Sequence, residues 1–280
     1  MAAFDSTFFK VERDGPVALI LLNRPDKANS MTPDFWTDLP RIVDALARDE
    51  SVRCAILAGE GRHFTGGMDL AAFASIAAMF DNEPGRAAYA MRDLILSLQG
   101  SFTALERARF PVIAAIHGAC VGGGIDMITA CDLRIASHDA HFSIEEIHIG
   151  MAADVGTLQR LPKLIAPTVA AELAYTGRRF GAEEARTIGL VSAVHADKEA
   201  TLAAARAMAR EIARKSPLAI AGIKRNLAYA RDHSVADGLD YIATWNAGML
   251  RPGELMAAVQ AKMAKREAEF ADLLAERTLG

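Results

Sequence analysis

Apolar positions along this 280-residue chain change period repeatedly, from short unbroken runs to stripes spaced three and four apart. Val17 to Leu22, Val52 to Leu57 and Val112 to Ile116 are continuous apolar runs, the pattern of strands covered on both faces. Between the first two, Phe35, Leu39, Ile42, Val43 and Leu46 recur at helical spacing. They follow Thr32-Pro33-Asp34, which reads as an N-cap with proline at the first helical position. From Met91, the positions Leu94, Ile95, Leu98, Phe102 and Leu105 keep helical spacing towards Pro111. Beyond Pro162 the pattern is mostly helical, with a short helix before Gly189 and a last short strand from Leu190 to Val194. Leu202, Ala205, Met208, Ala209 and Ile212 form a stripe, Ser216-Pro217 opens another helix, and two more are predicted at roughly 235–250 and 253–276. The alternation predicts an α/β fold. The change of pattern near residue 200 predicts a strand-rich core over 1–200 carrying the site, and a helical region over 201–280 for oligomerisation and pocket closure.

Two of the predicted strands run directly into glycine-rich loops. The first loop is AGEGRHFTGGMDL and the second is HGACVGGGID, where Gly122-Gly123-Gly124 precede a helix-compatible run from Ile125 to Ala130. A strand, glycines and a helix start leave unpaired backbone N–H groups facing one point, and the helix dipole adds positive character there. Such a point can hold a phosphate or a developing oxyanion. Three acids stand nearby in apolar or glycine-rich settings: Asp126 near the helix start, Glu146, and Asp154.

Composition narrows the function classes. The chain is 51% hydrophobic and 24% charged, enough for a sizeable core, and its net charge of −4 with no basic run argues against nucleic acid as a partner. Cys54, Cys120 and Cys131 have apolar flanks and no CxxC spacing, which predicts buried reduced thiols. No apolar run is long enough to span a bilayer, the N-terminal residues lack a signal-peptide pattern, and the last residues carry no SKL-type address. These features predict a cytoplasmic protein with no membrane partner. His141, Glu145 and His148 fit no metal-ligand spacing, so no metal is expected, and His117 reads as a structural histidine. The glycines do not spell GxGxxG, so no nicotinamide or flavin cofactor is expected either.

The HFTGGMDL loop paired with HGACVGGGID some fifty residues later resembles the crotonase (enoyl-CoA hydratase/isomerase) superfamily, as do NRPDKANSM, ACDLRIAS and GLVSAV. Within it, Asp126, Glu146 and Asp154 in register resemble the Δ3,5-Δ2,4-dienoyl-CoA isomerases. The resemblance implies a spiral of ββα units with two near-perpendicular sheets and a helical C-terminal part that builds trimers or hexamers. It implies an acyl-CoA thioester substrate, CoA being part of the substrate and no cofactor being needed. The reaction implied is conversion of 3,5-dienoyl-CoA to 2,4-dienoyl-CoA, with hydration of 2-enoyl-CoA as the alternative. An oxyanion hole falls to the N–H groups of Met68 and Gly123, where a Cβ at residue 123 would crowd the thioester. Glu146 takes the C2 proton, Asp154 serves C6, and Asp126 supports the acid network. Substrate contacts fall to Lys27, Ala28, Gly66, Gly67, Met68, Asp69, Leu70 and Gly123.

The sequence also departs from a typical hydratase of that superfamily, which has glutamates at both the Asp126 and Glu146 positions and a small residue at 154. Both departures disfavour hydration as the main activity. Read without the resemblance, Asp126 could cap a turn, Asp154 could cap a helix beginning near Gly156, and Glu146 beside Glu145 could be a solvated face.

Overall fold

The computed structural model describes residues 6–69, 71–72 and 83–275. Strands β1 (Phe9–Asp14) and β2 (Val17–Leu22) form a hairpin, followed by helix α1 (Pro33–Arg48) and strand β3 (Cys54–Gly59). Helix α2 (Pro84–Arg107) leads to β4 (Val112–Ile116), β5 (Ala119–Val121), the short helix α3 (Gly123–Thr129), β6 (Leu133–Ser137) and β7 (His141–Ser143). Then come α4 (Thr157–Arg160), α5 (Pro167–Thr176), β8 (Phe180–Gly181), α6 (Ala182–Thr187) and β9 (Val194–His195). Four helices close the described chain: α7 (Lys198–Ala213), α8 (Pro217–Asp232), α9 (Val235–Met249) and α10 (Pro252–Met263).

Two sheets result. The larger has the order β1-β2-β3-β4-β6-β9, parallel except for the β1–β2 pair, and the smaller has the order β5-β7-β8. The unbroken apolar runs have a direct cause, because alternate side chains of each central strand enter different cores. Ala18, Ile20 and Leu22 face the main core with Ala55, Leu57, Ala114 and Ile116. Val17, Leu19 and Leu21 face the other way, towards Cys54, Ile56, Ile113 and Ile135, and are covered by Ala205, Ala209 and Ala213 of α7. Those alanines stand four residues apart, so a helix lies close against the sheet. The five apolar positions of α1 are all buried, as its spacing predicts. The three cysteines are buried and reduced. Among the described residues no helix is long and apolar enough to cross a membrane.

Several boundaries differ from the expectation. The strand expected from Val52 begins at Cys54, because Val52 closes the turn after α1 by donating to the Asp49 carbonyl. Leu190 and Val191 do not join a strand; their N–H groups both return to the Ala185 carbonyl, and pairing resumes only at Val194. Thr32 takes the N-cap backbone shape, but its side chain makes no cap bond. The last helix ends at Met263, not near 276: Lys265 turns left-handed (φ +52°) and the Arg266 N–H bonds the Ala261 carbonyl. Phe270 continues the helical spacing in the sequence, yet its carbonyl is held by Arg53 against the body of the molecule.

Candidate active site

The site is assembled where the two glycine loops meet. Thr65 pairs with Cys120 as an isolated parallel bridge, through Thr65 N–H to the Ala119 carbonyl and Val121 N–H to the Thr65 carbonyl. This lays Gly66-Gly67-Met68 alongside Val121-Gly122-Gly123. The approach is close enough that a Cβ on Gly67 (φ +85°) would meet the Val121 carbonyl oxygen at 3.0 Å, so both conformation and space require glycine. At Gly123 a Cβ would meet Met31 Sδ at 3.1 Å. The constraint there comes from the protein's own interior, where the sequence had suggested crowding of a ligand.

Two main-chain N–H groups of these adjoining loops, those of Met68 and Gly123, belong to residues that line one cavity. Met31 forms a bridge with Met68 by donating to the Gly67 carbonyl and accepting from the Asp69 N–H. In a parallel bridge these partners flank Met68, so its own N–H points away from Met31. Gly123 is the first residue of α3, whose N–H has no intrahelical acceptor. Among the described residues neither donor has another acceptor.

A cavity of about 700 Å³ opens in front of them, lined by Gly66, Gly67, Met68, Gly122 and Gly123 on one side. Met91, Leu94, Ile95 and Leu98 of α2 form the opposite wall. That stripe divides its work, since Phe102 and Leu105 further along the same helix are fully buried in the main core.

The three acids converge without playing equal parts. Glu146 and Asp154 line the cavity; Asp126 does not, and is completely buried behind it. Asp126 Oδ1 accepts the Thr157 N–H at 2.5 Å, capping the start of α4, while Oδ2 is buried with no partner among the described residues. The capping role open to Asp154 is thus filled by Asp126, from another element. Asp154 is held through its backbone, its carbonyl accepting from Gln99 Nε2 at 2.6 Å. Glu146 Oε2 is also buried and unpartnered, whereas Glu145 accepts from Ser143 Oγ at 2.5 Å and faces Arg179 at 3.9 Å.

Burial, and then the neighbouring charge of Asp126, push the Glu146 carboxyl up to about 7. Burial raises Asp126 to about 6, with hydrogen bonding from Thr157 acting against it, and burial likewise raises Asp154. Desolvation and mutual repulsion therefore keep Glu146 and Asp126 poised to hold or release protons near neutral pH, and desolvation shifts Asp154 in the same direction.

The remaining predicted contact residues are placed differently. Lys27 is exposed on a 3₁₀ turn (Pro25–Lys27), and Ala28 (φ +50°) accepts the Gly66 N–H at 2.7 Å; neither lines the cavity. The Asp69 carboxylate is tied to Arg24 and Ser30, and Arg24 holds it below the usual range. Leu70 lies outside the described residues. His117 is buried with Nε2 at 3.1 Å from the Gly61 carbonyl.

Some positioning residues were not found from sequence. Asn29 (φ +52°) is fully buried, and its amide reaches the carbonyls of Glu60, His63 and Phe64, shaping the first loop. A buried asparagine able to adopt a left-handed turn was the available signal, within the NRPDKANSM segment. Gln99 and Arg160 act across more than fifty residues of sequence and leave no local signal.

Chemically, the arrangement can stabilise an oxyanion with backbone donors while carboxyl groups exchange protons along an apolar slot. The sequence profile of the enoyl-CoA hydratase/isomerase family matches residues 12–271. The chain is 46% identical over 250 residues to "Delta(3,5)-Delta(2,4)-dienoyl-CoA isomerase, mitochondrial" of Mus musculus, covering 89% of this chain and 76% of that protein. It is 45% identical over 262 residues to the protein of that name, "peroxisomal", of Arabidopsis thaliana, covering 93% and 94%. Among solved structures, a putative enoyl-CoA hydratase from Streptomyces coelicolor A3(2) superposes with a TM-score of 0.86 at 29% identity, over 96% of each chain. These relatives correct the cytoplasmic expectation, since they are named for mitochondria and peroxisomes. The expectation relied on missing address signals, which are a different kind of information from the fold.

Proposed function

The chain belongs to the enoyl-CoA hydratase/isomerase family and is an isomerase of it, and we propose that it converts 3,5-dienoyl-CoA thioesters to their 2,4-dienoyl isomers by proton transfer between two carboxyl groups. The thioester oxygen accepts from the N–H groups of Met68 and Gly123. Glu146 removes a proton from C2, and the electron pair spreads over the carbonyl and the conjugated chain. Asp154 delivers a proton to C6, leaving double bonds at C2 and C4. One proton leaves and one arrives, so the reaction needs no redox partner. Removing one preorganised oxyanion donor typically costs about 3 kcal/mol of barrier, which sets the scale for the backbone contribution. Asp126 acts on Glu146 through its charge.

The observation carrying this reading is that Glu146 and Asp154 both line the same apolar-walled cavity as Met68 and Gly123, whose N–H groups have no acceptor among the described residues, while Asp126 is buried outside the lining. Hydration would call for two acids holding one water. Here Asp126 is buried outside the cavity lining, with one carboxylate oxygen bonded to the Thr157 N–H, which disfavours hydration. The test offers purified protein 3,5-dienoyl-CoA and 2-enoyl-CoA in parallel and follows ultraviolet absorbance. Appearance of the conjugated 2,4-diene is expected; loss of enoyl absorbance without any diene formation would overturn the reading.

Exposed apolar side chains on the C-terminal helices, including Val235, Leu239, Leu255, Met256 and Met263, support association of identical subunits through this region. Sedimentation analysis checks it: a trimer or hexamer is expected, and a monomer at micromolar concentration would refute it.

A further inference from the structure

Arg160, the last residue of α4, does not line the cavity. It is nevertheless packed into the structure that carries the acids. A Cβ on Gly156 (φ +139°) would fall 2.0 Å from Arg160 Nη1, so the guanidinium occupies the space a side chain would take. Arg160 Nη2 donates to Thr103 Oγ1 and Glu106 Oε2, each at 3.2 Å, both on the helix whose other face walls the cavity. Glu106 in turn accepts from Arg231 of α8, which also pairs with Asp232. Glu106 thus has two cations against it, and the charge of Arg160 is only partly neutralised. On the other side of the turn, the Thr157 N–H holds Asp126.

We propose that Arg160 is a positioning residue for the acid set: clamped between Gly156 and Glu106, it fixes the turn that holds Asp126 and supplies the positive charge facing the buried carboxyls from behind the cavity. The charged groups converging there are Asp126 from α3, Glu145 and Glu146 from the 3₁₀ turn Glu145–Ile149, Asp154 from the loop before α4, Glu106 from α2 and Arg231 from α8. Arg160 is the cation that opposes proton uptake by Asp126. A change in Asp126 then reaches Glu146 through their mutual repulsion.

The inference rests on the proposed reaction only for its kinetic arm, so the primary readout is independent of substrate. In protein with ¹³C-labelled aspartate carboxyls, the Asp126 titration is followed by NMR in wild type, Arg160→Gln, Arg160→Lys and Glu106→Gln. Arg160→Gln should raise the Asp126 midpoint by roughly one pH unit, and Arg160→Lys, which keeps the charge, should hold it near the wild-type value. Glu106→Gln, which removes the counter-charge, should lower it. Unchanged midpoints in Arg160→Gln and Glu106→Gln, or an Arg160→Lys shift as large as that of Arg160→Gln, would overturn the proposal. If Arg160→Gln does not fold, the sign of the Glu106→Gln shift decides alone. In the kinetic arm, a raised Asp126 midpoint leaves less repulsion on Glu146, so the pH profile of kcat should move in the opposite direction to the titration. A wild-type protein that fails to isomerise dienoyl-CoA while the titrations shift as stated sinks the reaction and leaves the Arg160 role standing.

Discussion

Replacing Asp154 with asparagine separates the chemistry of the site from its architecture. The loop is anchored through the Asp154 main-chain carbonyl, which Gln99 holds at 2.6 Å, so an isosteric change in the side chain leaves the anchor in place. The carboxyl itself is half-buried and raised by that burial, so the neutral amide introduces no new charge penalty and the fold should keep its stability. Loss of a positioned proton-transfer group typically costs 10²–10⁴ in rate, or about 3–5 kcal/mol of barrier. The expected result is a fall of that size in kcat for 3,5-dienoyl-CoA, with KM changed by no more than about threefold. A second consequence follows from charge. Asp154 repels both Glu146 and Asp126, so its neutralisation lowers the proton affinity of each and moves the residual pH profile to lower pH. The assay is stopped-flow absorbance of the conjugated diene across pH 5–9, with calorimetric binding of a non-isomerisable thioester as the control. Wild-type turnover by this variant would refute the assignment of Asp154, and loss of thioester binding in step with turnover would refute its separation from the architecture.

Three further outcomes are expected. Glu146, raised from 4.5 to about 7 in the folded chain, keeps its proton where the unfolded chain has lost it, so its contribution to stability declines as pH rises through that window, by roughly 3 kcal/mol. Glu146→Gln should therefore abolish isomerisation while raising the melting temperature at pH 8 more than at pH 5, and equal shifts at both would contradict the burial argument. Gln99→Leu frees the Asp154 carbonyl and should cost about 1 kcal/mol of stability with a larger loss in kcat than in melting temperature, measured on one preparation. Gly124→Ala would drive a Cβ to 2.7 Å from Thr65 Cγ2 and 3.2 Å from Cys120 Sγ, and overpacking of this kind costs about 1–3 kcal/mol, read as a lower denaturation midpoint.

The strands Val17–Leu22 and Val112–Ile116 were legible to the residue because burial on both faces leaves no polar position to blur the signal. The hairpin partner FKVERD was not, since an edge strand with charged positions looks like a loop until β2 pairs with it. The strands of the smaller sheet have three residues or fewer, too short for any period to show. At the site, the glycine loops announced themselves through local chemistry and the acids through their apolar or glycine-rich settings, but the separate roles of the acids came only from resemblance to a family, because a lone carboxylate has no pattern. That Met91, Leu94, Ile95 and Leu98 wall a cavity could not be read from their spacing: a packed core and an apolar slot ask for the same side chains. Lys27 and Asp69 lie in the matched stretch, yet one is exposed and the other is held by Arg24.

The helix α2 also behaves as a graduated rule. Its Leu98 end adjoins Gln99 and the Asp154 loop, and Met91 stands seven residues away, about 10 Å along the axis. Shortening Met91 should thus let longer acyl tails enter without touching the groups that move protons, whereas shortening Leu98 should disturb turnover for tails of every length. If the reaction runs as proposed, chain-length preference and reaction rate answer to opposite ends of a single helix, where each can drift without the other.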